Sequence, residues 1–294
     1  MRIACIGRNG QTAQALAAVA SRDPSITLTQ AGSADADLKD AASLIMFVDS
    51  AKADVVVNTG AYNFVDRAET ETDLAFAINA DGPRVLAKHC RKLGLPFIHM
   101  STDCVFGGDK PSAYTEDDAP DPASAYGRSK FAGEQAVAAE YPDAITTRVA
   151  WVFSEYAESF VSRMIALARA LPELRVVNDQ IGPPTYAPDI AAALIQIARE
   201  KVAGASDLAG VMHVVSSDVA VRTDMAAAIM DESRRQGGPF APVLPVTTAS
   251  FDAPAKRPLN ARLSNARAVA RLGLAFTPYA EALQRSVAGV LARG

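Results

Sequence analysis

Cysteine is scarce: Cys5, Cys90 and Cys104 are the only three in 294 residues, odd in number, far apart and without the C-x-x-C spacing of a zinc or thiol-redox site. That excludes a disulfide framework and makes a reducing, cytoplasmic compartment the expected one. No apolar run approaches the roughly 20 residues that span a bilayer. The amino terminus, Met1-Arg-Ile-Ala-Cys-Ile-Gly7, passes straight into a strand-like run and leaves no room for the parts of a signal peptide. Neither secretion nor membrane insertion is therefore expected. Basic charge is not in excess either. Lys and Arg number 29 against 33 Asp and Glu, a formal net charge of -4, which is not the composition of a protein that coats nucleic acid or a membrane surface. An anionic ligand needs a local basic pocket instead. The three histidines, His89, His99 and His213, are scattered without metal-ligand spacing, so no metal is expected.

Apolar material is plentiful: 49% of residues are hydrophobic, enough for a large buried core. Ile3 to Ile6 is a short apolar run closed by Gly7, and Gln11 to Ala20 is an alanine-rich stretch of helix formers. A second cycle follows in Ile26-Thr-Leu28 and a helical stretch from Ala41 to Ser50. Asp54-Val-Val-Val-Asn58 does not alternate and reads as a strand buried on both faces. A helix from Asp73 to Leu93, ended by Gly94, leads into the strand Pro96 to Met100. The stretch Gly107 to Ser124, rich in Gly, Pro, Asp and Ser, is a long loop, followed by a helix from Tyr126 to Glu140 and a strand from Ala144 to Val152. Beyond lie helices Ser159 to Ala170, Asp189 to Glu200 and Arg222 to Gln236, a loop Asn178 to Pro184, a strand Gly210 to Val215, and a Pro-rich segment to Pro258. This alternation predicts an α/β fold, a doubly wound parallel sheet with a smaller carboxy-terminal α/β lobe over the strand ends.

Three motifs carry chemistry. Gly7-Arg-Asn-Gly10-Gln-Thr-Ala13 joins the first strand to the first helix, where Gly7 makes the turn, Gly10 admits a pyrophosphate to the backbone and the small Ala13 permits close packing. Gln30-Ala-Gly-Ser33, after the second strand, holds no acid to engage a ribose 2′-hydroxyl, which favours NADPH over NADH. Arg8 either meets the 2′-phosphate or lies in solvent; Asp37 and Leu38 either contact adenine or belong to an exposed loop. Tyr126-Gly-Arg-Ser-Lys130 puts a phenol and an ammonium on one helical face, a spacing that lets Lys130 favour the ionised phenol and Tyr126 donate a proton to a carbonyl. Met100-Ser-Thr-Asp103 ends a buried strand, where Thr102 meets a substrate carbonyl and Ser101 and Asp103 shape the pocket, or where all three cap a turn.

At these residues the chain resembles the extended short-chain dehydrogenase/reductase family, and within it the reductases of keto nucleotide sugars. Similarity runs over nearly the whole length, through Asn58-Thr-Gly-Ala-Tyr-Asn-Phe-Val-Asp-Arg-Ala-Glu69, Asn79-Ala80, Ser101-Thr-Asp-Cys-Val-Phe-Gly107, Ala150-Trp-Val-Phe153, Asn178-Asp-Gln-Ile-Gly-Pro-Pro-Thr185 and Arg257-Pro-Leu-Asn-Ala-Arg-Leu263. The resemblance implies a Rossmann domain over residues 1–152 and a substrate lobe over 153–294, with a segment near 186–215 returning to the first. It implies Thr102, Tyr126 and Lys130 as the catalytic set. Gly7, Arg8, Asn9, Gly10, Gln11, Gly60, Ala61 and Asn79 fall at cofactor positions, joined by Asp37, Leu38, Ser101, Tyr126 and Lys130. Val65, Asp103, Trp151, Asn178, Gln180 and Arg257 fall at the substrate, with Lys256, Arg257 and Arg262 supplying charge for its pyrophosphate. The implied reaction is hydride transfer from NADPH or NADH to the 4-keto carbon of dTDP-6-deoxy-L-lyxo-4-hexulose, in a monomer or homodimer. Two other readings stay open: an NAD-dependent nucleotide-sugar epimerase or dehydratase, and a non-catalytic regulatory subunit. The chain departs from the family pattern at Gly60, Asn63, Tyr279 and Ser154-Glu-Tyr-Ala-Glu-Ser-Phe160, whose two carboxylates suit a dianionic ligand poorly.

Overall fold

The computed structural model describes residues 1–293. Six parallel strands, β1 (Arg2–Ile6), β2 (Thr27–Ala31), β3 (Val55–Asn58), β4 (Phe97–Thr102), β5 (Ile145–Val149) and β6 (Gly210–His213), form one sheet in the order β6-β5-β4-β3-β1-β2. Side chains alternate across a strand, so β1 feeds two cores. Ile3 and Cys5 pack with Val55, Val57 and Ile98 under helices α1 (Gln11–Ala20) and, from later in the chain, Ala187–Val202. Ala4 and Ile6 pack with Val56 and Phe97 on the opposite face, under α2 (Ala41–Ala51), α3 (Gly82–Leu93) and α4 (Ala125–Glu140). The doubly wound sheet expected from sequence is present. Its direction of winding reverses between β1 and β3, and a sheet of this kind opens a crevice at that point, beyond the carboxyl ends of the strands.

A third core lies apart from the sheet. Phe153, Val161, Ile165, Leu174, Met225, Ile229 and Val287 bring together α5 (Phe160–Ala170), α7 (Arg222–Arg235) and α8 (Tyr279–Leu291), so that Ala187–Val202, packed on α1, takes the label α6. Strand Leu174–Val177 pairs in parallel with Val243–Val246 beside this core. Sequence alone predicts no element beyond Pro258, yet α8 buries Ala282, Leu283, Ser286 and Val287, an i, i+1, i+4, i+5 stripe. No helix among the described residues is long and apolar enough to cross a membrane.

Two local departures from the sequence-based elements shape the site. The helix expected from Asp73 starts at Thr72 and carries a π-helical turn at Ala77–Asp81. Pro83 has no N–H to give the Asn79 carbonyl, and that carbonyl lies against Gly133 of α4, where a Cβ would stand only 2.0 Å away. The strand expected to run from Ala144 to Val152 stops at Val149, because Trp151 takes a left-handed conformation with φ of 45°. Val152–Phe153 then leaves the sheet and pairs with Thr185–Tyr186.

Candidate active site

The glycine turn sits at the reversal point. Gly7 has a φ of 112°, and a Cβ there would stand 2.7 Å from both the Gly60 nitrogen and the Thr59 hydroxyl, so the turns after β1 and β3 approach this closely only because the side chain is missing. Gly10 precedes α1 in an extended conformation with no side-chain cap, and the first turn holds no acid. The first N–H groups of α1 are therefore left for an outside acceptor, with the positive end of the helix dipole behind them. They open on a cleft of about 250 Å³ bounded by Gly7 to Gly10, Asp37, Leu38, Gly60 and Ala61. A dinucleotide pyrophosphate fits this donor set.

Other cofactor candidates fall around it in different ways. Gln11 lies outside the lining of this cleft, its amide donating to the Val152 carbonyl at 3.3 Å and accepting from the Ser154 hydroxyl at 2.9 Å. Asn79 is buried behind the wall, where its amide bonds both backbone groups of Tyr62, at 2.8 and 3.1 Å, and donates to the Ser129 hydroxyl at 2.9 Å. Asp37 accepts from the Lys39 N–H at 3.0 Å. Arg8 pairs with Asp35 at 3.0 Å, both half exposed. Asp35 also accepts from the Gly32 N–H at 3.3 Å. The loop thus folds back to bring a carboxylate to the end of β2, where Gln30 to Ser33 offer none. Spacing along the sequence hides this, since Asp35 lies outside the strand end itself.

A second cleft of about 390 Å³ shares Ala61 and Asn63 with the first, so the two lie side by side. Thr102 ends β4; its hydroxyl donates to Asp103 at 3.0 Å and accepts from the Cys104 N–H at 3.2 Å. Tyr126 and Lys130 enter from the first turns of α4, which is capped by the Ser124 hydroxyl on the Gly127 N–H at 3.1 Å and by Glu69 on the Ala125 N–H at 2.8 Å. The Lys130 ammonium donates to the Met100 carbonyl at 2.7 Å. Ser101 also lines the cleft, and its buried hydroxyl has no partner among the described residues, the condition of a group that bonds a ligand.

Burial dominates the electrostatics. It pulls Lys130 down to about 8, against the attraction of Glu134. It lifts Asp103 to about 6, against the Thr102 hydroxyl and the field of Arg222. It also raises the Tyr126 phenol, helped by Cys104 and Asp103 and opposed by the Thr102 hydrogen bond. The spacing of Tyr126 and Lys130 predicts an acidified phenol, whereas burial with Cys104 and Asp103 holds it protonated, and the Lys130 ammonium is directed to the Met100 carbonyl. A protonated phenol is the form that donates to a developing alkoxide.

On the substrate side Val65, Asp103, Trp151, Gln180 and Arg257 all line the second cleft. Asn178 does not; it is exposed, just past strand Leu174–Val177. Trp151 is held by Gly182, where a Cβ would stand 2.5 Å from the indole. Of the basic residues expected to supply charge, Arg257 grips Asp66 through both terminal nitrogens at 2.9 and 2.8 Å, Arg262 bonds Asn260 and the Pro111 carbonyl, and Lys256 is exposed. Arg222, which sequence analysis passes over, lines the cleft instead. One signal marks it: a cation in the first turn of a helix opposes the helix dipole. The carboxylates of the divergent 154–160 stretch stay away from the lining. Glu155 accepts from the Tyr186 hydroxyl at 2.9 and 3.0 Å, and Glu158 is exposed. Tyr279 packs edge-on against Phe153 at 5.9 Å.

Comparison with known proteins agrees over the full length. The family model described as the RmlD substrate binding domain matches residues 1–291. A dTDP-4-dehydrorhamnose reductase of Sinorhizobium fredii is 38% identical over 295 residues, 100% of this chain and 99% of that protein. Among solved structures, a dTDP-4-dehydrorhamnose reductase from Clostridium acetobutylicum superposes with a TM-score of 0.89 at 31% identity, covering 100% of both chains. One from Bacillus anthracis, in complex with NADP, superposes with a TM-score of 0.87 at 29% identity, covering 100% of this chain and 99% of that one.

Proposed function

Since the chain belongs to the family of the RmlD substrate binding domain, whose relatives are dTDP-4-dehydrorhamnose reductases, we propose that it reduces the 4-keto group of dTDP-4-dehydrorhamnose to give dTDP-L-rhamnose. The observation that carries this reading is the adjacency of the glycine-turn cleft and the Thr102–Tyr126 cleft, which share Ala61 and Asn63 and leave room for a cofactor beside a carbonyl substrate. When bound, the reduced nicotinamide supplies a hydride to C4. Thr102, turned from Asp103, and Tyr126 donate hydrogen bonds to the carbonyl oxygen; Tyr126 delivers its proton as the alkoxide forms, and the buried Lys130 charge favours the phenolate left behind. Ser101 and the free α1 N–H groups hold the cofactor, with Asn79 and Gln11 fixing the walls it rests on.

NADPH is the preferred donor in this reading. The Arg8–Asp35 pair is half exposed and contributes little to stability, so a 2′-phosphate dianion can take the place of Asp35 on the guanidinium. The reading also includes membership of the extended short-chain class, a cytoplasmic monomer or homodimer, and a cofactor domain of residues 1–152 completed by a segment near 186–215. That segment's return is supported by α6 packing on α1 and β6 pairing with β5. The three free cysteines, two of them buried, suit a reducing compartment.

A cofactor-oxidation screen tests the reading. NADPH is consumed when the dTDP-linked 4-keto-6-deoxy sugar is added, with a lower KM than NADH. Oxidation only with GDP- or UDP-linked keto sugars overturns the nucleotide, and sugar conversion without cofactor consumption points to the epimerase alternative.

A further inference from the structure

Arg222 opens α7 directly after strand Ala220–Val221, which pairs antiparallel with Ile181–Gly182, and its N–H donates to the Gln180 carbonyl at 3.0 Å. The backbone is thereby tied to the wall that also carries Gln180. Its guanidinium carbon lies 3.4 Å from the centre of the Trp151 ring and 4.9 Å from that of Phe160. Among the described residues it forms no ion pair, whereas Arg257 in the same cleft is shared with Asp66 in a bidentate pair. Burial draws Arg222 down to about 10, the mark of a cation without adequate compensation. Trp151 is itself held in a strained backbone conformation, so the platform under the guanidinium is fixed before any ligand arrives.

A stacked arginine with its fork of donors unspent matches a phosphate group, which accepts two parallel charged hydrogen bonds. We infer that Arg222 is the anion clamp of the substrate cleft, binding the diphosphate of the nucleotide sugar from its Trp151 platform. This rests on the nucleotide-sugar reading of the cleft. It reassigns to Arg222 the role that sequence gives to Lys256, Arg257 and Arg262. The competing reading is a purely structural stack, in which the guanidinium serves only to cover the indole.

The two separate in binding measurements with dTDP and thymidine on the NADPH-loaded protein. Arg222→Met keeps an apolar chain over Trp151 and removes the charge. It is expected to weaken dTDP at least roughly thirtyfold while thymidine and NADPH bind as in the wild type. Arg222→Lys keeps the charge but loses the fork and is expected to fall between, roughly three- to tenfold weaker for dTDP. A methionine variant that binds dTDP within threefold of wild type overturns the clamp and leaves the structural stack. Should that variant also lose NADPH, the lysine variant decides: dTDP weakened with thymidine unchanged supports the clamp, and unchanged dTDP overturns it. Wild-type protein that turns over the keto sugar yet gains nothing from the diphosphate overturns the clamp alone. Wild-type protein that binds no dTDP at all overturns the nucleotide-sugar reading together with it.

Discussion

Tyr126→Phe is expected to lower single-turnover reduction by at least roughly a hundredfold while NADPH affinity stays within about threefold of wild type. The substitution removes one oxygen from a buried ring at the start of α4 and leaves the helix cap, the glycine turn and both clefts intact. The loss therefore falls on the proton given to the alkoxide. Neither the hydroxyl nor the thiol beside it replaces it. Thr102 hydrogen-bonds the carbonyl in this reading, but an aliphatic hydroxyl is too weak an acid to give up its proton, and the Cys104 thiol is pushed well above its ordinary range by burial and by Asp103. Retention of the wild-type rate in the phenylalanine enzyme contradicts the assignment.

Lys130→Met is expected to separate activity from stability. Reduction falls by roughly a hundred- to a thousandfold, since the charge that favours the phenolate is gone. The fold gains. Lys130 is fully buried, and its folded value of about 8 lies below the ordinary 10.5, so the charged form is penalised by folding, on the order of 3 kcal/mol. Because the folded value is depressed, that penalty is present in full below pH 8 and disappears as pH rises from about 8 to 10.5. Loss of the hydrogen bond to the Met100 carbonyl costs about 1 kcal/mol in return. The methionine protein should therefore melt higher than wild type at pH 7, with the difference shrinking above pH 8. A lower melting temperature at pH 7, or a difference that grows with pH, contradicts the assignment of Lys130 as a buried cation whose partners do not offset its desolvation.

The cofactor half of the molecule is largely legible from sequence, because its signals are local. The non-alternating Val55 to Asn58 run, the Gly7 turn and the alanine-rich α1 each state their structure within a few residues. The proposed catalytic set is legible for the same reason: Tyr126 and Lys130 share one helix, and Thr102 ends a strand. The substrate side is not. Arg222 and Trp151 are 71 positions apart and become a stack only because Trp151 turns left-handed and Gly182 leaves room for its indole. Asp35 returns to Arg8 through a loop that no periodicity describes. Pairing also decides which arginine of the cleft is free. Nothing in the spacing of Asp66 and Arg257 announces their bidentate contact.

The central claim is a hydride passed from NADPH to C4 of a dTDP-linked sugar, and isotope transfer tests it most directly. With NADPH deuterated at the transferable position and dTDP-4-dehydrorhamnose as substrate, the product should carry one deuterium at C4 of the sugar for each NADPH oxidised. Product without deuterium at C4, or conversion of the sugar with no net consumption of NADPH, contradicts the claim.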